Sequence, residues 1–252
     1  MSNKSLVDLQ NKINNLVFHK ITSDEVTSWE DVHIEKFKFI LDKISGNDIV
    51  FDEIKSESGW CITFDDGNIS DYEDAFPALL EKDMKATFFL IASKIGQKGF
   101  VSWSNIKEMQ KYGMNIGSHG LDHINFRKID RKKIEKEFGT SKQIIEDKLG
   151  TKVTSFSYPF GEYTSSSHEM GQKTGYKYLF TSDHGLANSS DQILPRNSIN
   201  STMSINQIYK VLYPNFLQKS TWYIEDNLKN NIKKFIGREA YVKIRNLVIN
   251  EK

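Results

Sequence analysis

Short apolar runs alternate with amphipathic helical runs along most of this chain, and the connections between them are brief. Residues 16–18, 60–64, 86–91, 114–117, 153–157 and 178–181 read as strands. The run Ala-Thr-Phe-Phe-Leu-Ile at 86–91 is almost continuously apolar, as expected of a strand covered on both faces. Between the strands, Ile34, Phe37, Ile40, Leu41 and Ile44 recur at helical spacing. Tyr72, Phe76, Leu79 and Leu80 mark a second helix, and residues 103–112 a third that Gly113 stops. A long helix is expected over 129–149, with Ile134, Phe138, Ile145 and Leu149 on one stripe, Asp130 as its cap and Gly150 at its end. Residues 204–212 and 222–250 also read as helical. Strand and helix in alternation predict βα units and a mostly parallel sheet.

Composition narrows the function. The 34 Lys and Arg against 33 Asp and Glu leave a net charge of +1, which disfavours a protein that binds nucleic acid by neutralising phosphates. The single cysteine excludes an intramolecular disulfide and a cysteine-rich zinc site. No run approaches the roughly 18 apolar residues of a membrane span, and the first residues lack the apolar core of a secretion signal. The expectation is a cytoplasmic protein without a transmembrane segment. With four prolines and no Pro/Gly/Ser linker, the 252 residues divide into one domain over 1–203 and a helical extension over 204–252.

The chemistry-bearing residues fall just after strands, where parallel α/β folds place their sites. Asp65 and Asp66 end the 60–64 run. Two carboxylates so close call for a cation, with one as ligand and the other free to act as base; the bland alternative is a solvated Asp-Asp-Gly turn. His119 and His123, in Ser-His-Gly-Leu-Asp-His, would face the same way on a helical turn. Gly120 stands where the metalloprotease pattern needs glutamate, so that pattern does not apply. Asp66 with the two histidines makes a three-ligand set that leaves coordination positions open, as catalytic rather than structural sites do. Tyr158-Pro159-Phe160-Gly161 closes the 153–157 strand with a turn able to present the Phe160 N–H to an oxyanion.

In this order, Thr63-Phe64-Asp65-Asp66-Gly67, Lys85-Ala86-Thr87-Phe88-Phe89, Ser118-His119 to His123, Ser141-Lys142 and Tyr158-Pro159-Phe160-Gly161 resemble the polysaccharide deacetylase family, the NodB-homology domain of carbohydrate esterase family 4. The likeness spans roughly residues 16–200. Tyr-Pro-Phe-Gly and the early Val17-Phe18-His19-Lys20-Ile21 are most similar to the exopolysaccharide and poly-N-acetylglucosamine deacetylase branch. The resemblance implies an α/β fold, a distorted (β/α)7-type barrel, and hydrolysis of the N-acetyl group of an amino sugar in a polysaccharide or glycan precursor. It implies Asp66, His119 and His123 as ligands of one divalent metal, zinc being the expected ion and cobalt or nickel able to use the same donors. It makes Asp65 the base. Tyr158 and Pro159 are candidate substrate-binding residues, and so is His19, which follows the first strand, with a structural role as its alternative.

The chain departs from the family pattern at Ser157, where many members carry the arginine that orients the base. Arg196 is the candidate replacement. His184 is the candidate general acid, because it follows the 178–181 strand. Alternatives are a deformylase, a deacetylase of a lipid- or nucleotide-linked sugar, and a non-catalytic carbohydrate-binding barrel, the last motivated by Ser157.

Overall fold

A computed structural model describes residues 12–46, 58–236 and 240. By their contacts the residues fall into two compact units, Met1–Met203 and Ser204–Lys252.

The first unit is built on one eight-stranded sheet in the order β10-β1-β4-β5-β6-β7-β8-β9. Its strands are β1 (Ile13–Phe18), β4 (Gly59–Phe64), β5 (Thr87–Leu90), β6 (Asn115–Ser118), β7 (Ser155–Ser157), β8 (Tyr178–Phe180), β9 (Ile193–Leu194) and β10 (Asn197–Ser198). All neighbours pair in parallel. A small parallel pair, β2 (Lys20–Thr22) and β3 (Asp31–His33), follows β1. The helices are α1 (Ile34–Ile44), α2 (Phe76–Glu81), α3 (Trp103–Lys111), α4 (Arg131–Leu149) and α5 (Ser165–Lys173).

The two ends of the sheet order, β9 and β10, are separated in sequence only by Pro195 and Arg196. Three Cα–Cα steps of about 3.8 Å bound the distance from Leu194 to Asn197, so the sheet must curl back on itself. Counted as one interrupted strand, β9 and β10 make the seventh position of a (β/α) barrel, the expected fold. The interruption falls at a proline, which has no N–H for a ladder. Two side chains of β1 hold this seam: Asn15 Nδ2 donates to the Pro195 carbonyl at 2.8 Å, and Asn14 Oδ1 accepts from Asn197 Nδ2 at 2.8 Å.

β1, β4 and β5 are buried throughout, as strands covered on both faces should be. On the helix side, register aligns Phe18 with Phe64 and Phe64 with Phe88. Their rings stack at 5.5 and 4.7 Å, and Phe37 of α1 meets Phe18 and Phe64 edge-on. Each such ring contributes about 1.5–3 kcal/mol by its burial. On the inner side, Ile13, Cys61, Phe89, Phe180, Ala187 and Leu194 form an apolar plug.

Asp130 caps α4 by accepting the Lys133 N–H, and Gly150 ends the helix in a left-handed conformation, as the sequence predicts. The second expected helix begins with a π-helical turn at Asp71–Ala75 before α2. In the second unit, Ser204 caps α6 (Ile205–Leu212), and α7 covers Phe216–Ile236. The helix expected over 222–250 is thus seen in part; residues 237–239 and 241–250 lie outside the described residues. No described helix is long and apolar enough to cross a membrane.

Candidate active site and metal centre

Asp65 directly follows β4, and its N–H donates to the Phe18 carbonyl at 3.0 Å, prolonging the β1–β4 ladder. Alternation puts Asp65 on the same face as Cys61 and Thr63, the inner face. The residue is 2% exposed. Opposite it lies Arg196, from the β9–β10 seam and 1% exposed. Arg196 NH1 reaches Asp65 Oδ1 and NH2 reaches Asp65 Oδ2, each at 2.7 Å. NH1 also donates to Thr63 Oγ1 at 3.2 Å, NH2 to Ser157 Oγ at 2.7 Å, and Nε to the Thr181 carbonyl at 2.9 Å. All five guanidinium donors are therefore matched, and the plane lies near the Phe89 and Phe180 rings.

Ser157 completes the arrangement by donating to Asp65 Oδ2 at 3.0 Å. Arg196 thus reaches Asp65 from another strand end, in contact with Ser157. Burial alone would raise the Asp65 pKa; the Arg196 charge and hydrogen bonds, with His119 and His19, hold it well below the ordinary carboxylate range. Asp65 is ionised at neutral pH.

Asp66 turns in the opposite sense with φ of 77°, a conformation few non-glycine residues adopt. Its Oδ1 lies 3.5 Å from His119 Nε2 and 3.4 Å from His123 Nε2. His119 follows β6, and its Nδ1 is 2.8 Å from the Ser157 carbonyl. A carbonyl only accepts, so Nδ1 carries a proton, which leaves Nε2 as the nitrogen that would face a bound metal. His123 does not share a helical turn with His119. Residues 119–125 are irregular, and left-handed Gly120 and His123, with φ of 84° and 56°, fold the second imidazole back onto the first. The rings end 4.9 Å apart. Burial, then the His119 charge, lowers the His123 pKa to about 4, which keeps it neutral.

A metal fits this donor set. Asp66 Oδ1 is buried and has no hydrogen-bond partner among the described residues, although two imidazoles converge on it. Donors held about 2.0–2.1 Å from one tetrahedral ion stand roughly 3.4 Å apart, which is the spacing between Asp66 and each histidine. The three donor atoms all lie within 4.8 Å of one another.

The other expected residues separate. Phe160 has φ of 63° and Gly161 φ of 67°, so the chain makes a tight turn that lays the Phe160 ring over His123 at 4.5 Å. Pro159 is buried beneath this turn. The Tyr158 ring sits in the aromatic core among Phe126, Phe156 and Tyr163 and does not reach a ligand surface. Asn68 Nδ2 holds the His19 carbonyl at 2.9 Å, and the His19 charge is felt at both Asp65 and His123. His184 lies in the loop between β8 and β9.

Asp71 was not apparent from sequence. It is fully buried in the π-helical turn, and neither oxygen has a hydrogen-bond partner among the described residues. Burial, with the charges of Asp66 and Asp65, raises its pKa well above the usual value, so it favours the neutral acid. Within Asp-Tyr-Glu-Asp it looks like an ordinary solvated helix start.

Residues 52–179 match the sequence profile of the polysaccharide deacetylase family, half of the chain. The chain belongs to this family. Among curated proteins it is similar to YxkH of Bacillus subtilis, 33% identical over 161 residues, an alignment covering 64% of this chain and 57% of YxkH. It is also similar to the poly-beta-1,6-N-acetyl-D-glucosamine N-deacetylase of Staphylococcus aureus strain MRSA252, 25% identical over 214 residues and covering 74% and 73% of the two chains. That relative lies in the branch suggested by the Tyr-Pro-Phe-Gly motif. The solved deacetylase PplD of Streptococcus pyogenes shares the fold, with a TM-score of 0.72 and 24% identity over 81% of this chain and 99% of that one.

Proposed function

We propose that this polysaccharide deacetylase is a metal-dependent hydrolase that removes the N-acetyl group from an amino sugar of a polysaccharide or glycan precursor. The observation that carries the proposal is Asp66 Oδ1, buried without a hydrogen bond between two imidazole nitrogens. Beside it, Asp65 is kept ionised by Arg196. The substrate class follows the Staphylococcus aureus relative, whose name specifies a β-1,6-linked N-acetylglucosamine polymer.

Asp66, His119 and His123 would hold the divalent ion, which when bound supplies Lewis-acid polarisation of the acetyl carbonyl and of water. Asp65 accepts a proton from the attacking water as its oxygen bonds to the carbonyl carbon. Ser157 and Arg196 fix the Asp65 carboxylate during that step. The Phe160 N–H faces the developing oxyanion. His19 gives a proton to the sugar nitrogen as the C–N bond breaks, leaving acetate and a free amine. His19 is proposed for this role because it directly follows β1, whose last carbonyl, that of Phe18, accepts the Asp65 N–H.

Acetate release from N-acetylglucosamine oligomers tests the proposal. Chelation should abolish release and added zinc restore it; release unaffected by complete metal removal would refute metal dependence. His19→Gln should lower kcat by about 10²–10⁴ and His184→Gln leave it unchanged. The reverse result would return the acid role to His184.

A further inference from the structure

Glu137 lies in the middle of α4 and is fully buried. Its Oε2 accepts two consecutive backbone N–H groups, from Leu121 at 2.8 Å and Asp122 at 3.0 Å. Its Oε1 faces Lys133 Nζ at 3.4 Å, and the same ammonium reaches Asp122 Oδ2 at 3.2 Å. Leu121 and Asp122 stand between His119 and His123. The segment linking the two imidazoles is therefore clipped to α4 through a carboxylate and a lysine.

Two features show that this clip shapes the segment. A Cβ built on Gly120 would lie 3.0 Å from Glu137 Oε2, and Gly120 has φ of 84°. The backbone passes so close to the carboxylate that a side chain would crowd it. His123 itself has φ of 56°, a conformation that persists for non-glycine residues only where the surroundings over-determine it. His119 is anchored independently, through its N–H to the Leu90 carbonyl and its Nδ1 to the Ser157 carbonyl. A buried carboxylate is costly to keep, and a buried apolar side chain would fill the space without that cost.

We propose that Glu137 is a positioning residue for His123: by holding the Leu121 and Asp122 N–H groups it sets the separation of the two imidazole nitrogens. The proposal rests on the metal-site reading above. It extends that site to a carboxylate on a helix, which holds the backbone between two of the proposed ligands. Partners that orient metal ligands commonly affect affinity by about 10–100-fold.

The test is cobalt titration of the metal-stripped full chain, following the visible absorption of the bound ion. Glu137→Leu preserves helix propensity and approximate volume but removes both acceptors. It should bind cobalt about 10–100-fold more weakly, with an altered spectrum. Glu137→Gln keeps an acceptor oxygen and should recover most of the affinity. A folded Glu137→Leu protein with unaltered affinity and spectrum would overturn the proposal while leaving the metal site intact. Should the leucine variant fail to fold, Glu137→Asp, which withdraws the carboxylate by one methylene, is judged by the same two criteria. No cobalt binding by the unaltered protein would overturn the metal reading and this proposal together.

Discussion

Arg196 and Asp65 are both sealed inside the barrel, where an ion pair is tolerable only if each donor and acceptor is matched. Removing one partner strands the other. Arg196→Met should lower stability at neutral pH by about 3–5 kcal/mol, measured by denaturant unfolding. Asp65 has a folded pKa below its unfolded value, so its pairing stabilises above the ordinary carboxylate pKa and is lost as pH falls through the folded pKa. The deficit of the variant should accordingly shrink in acid. Losing Arg196 also raises the Asp65 pKa, which should move the acidic limb of the pH–rate profile to higher pH. An unchanged limb would mean that Arg196 does not tune the base. At this scale the sequence singled out Asp66, His119 and His123, because they follow strand-like runs, and the structure brings the three together. It could not show the Asp65–Arg196 pairing, which joins residues 131 apart. Nor could it show that Gly120 and His123 use left-handed backbone in place of a helical turn.

Among the elements, those with local signals were legible. Asp130 and Gly150 mark the two ends of α4 because caps are chosen by the backbone groups they satisfy. β1 was predicted from residue 16 but starts at Ile13, because Asn14 and Asn15 disguise a buried strand. Asn15 Nδ2 and Asn14 Oδ1 find partners at the distant seam, in Pro195 and Asn197. β9 and β10, two residues each, carry no periodicity to read. The Pro159–Gly161 turn was legible as a turn, but its contact with His123 was not. A Cβ at Gly161 would fall 2.6 Å from the Ser182 backbone nitrogen, at φ of 67°. Gly161→Ala should destabilise the protein by roughly 1–3 kcal/mol and, by displacing the Phe160 N–H, lower kcat by about 10²–10³. Steady-state kinetics with KM unchanged would support an oxyanion role; wild-type kcat would remove it.

Across the whole molecule, alternating strand and helix runs predicted a mostly parallel sheet, and the resemblance carried by the motif order predicted the barrel and the family. The curl of the sheet was not in the pattern. It follows from the pairing of β9 with β8 and of β10 with β1 across the two-residue interruption at Pro195 and Arg196, which brings Arg196 against Asp65. A barrel that closes at its seam with the residue holding the base couples folding to chemistry. The most direct test of that account is acetate release by Asp65→Asn, measured alongside its metal content. The prediction is a loss of about 10²–10⁴ in kcat with one equivalent of metal still bound. Full activity in the Asp65→Asn protein would contradict it.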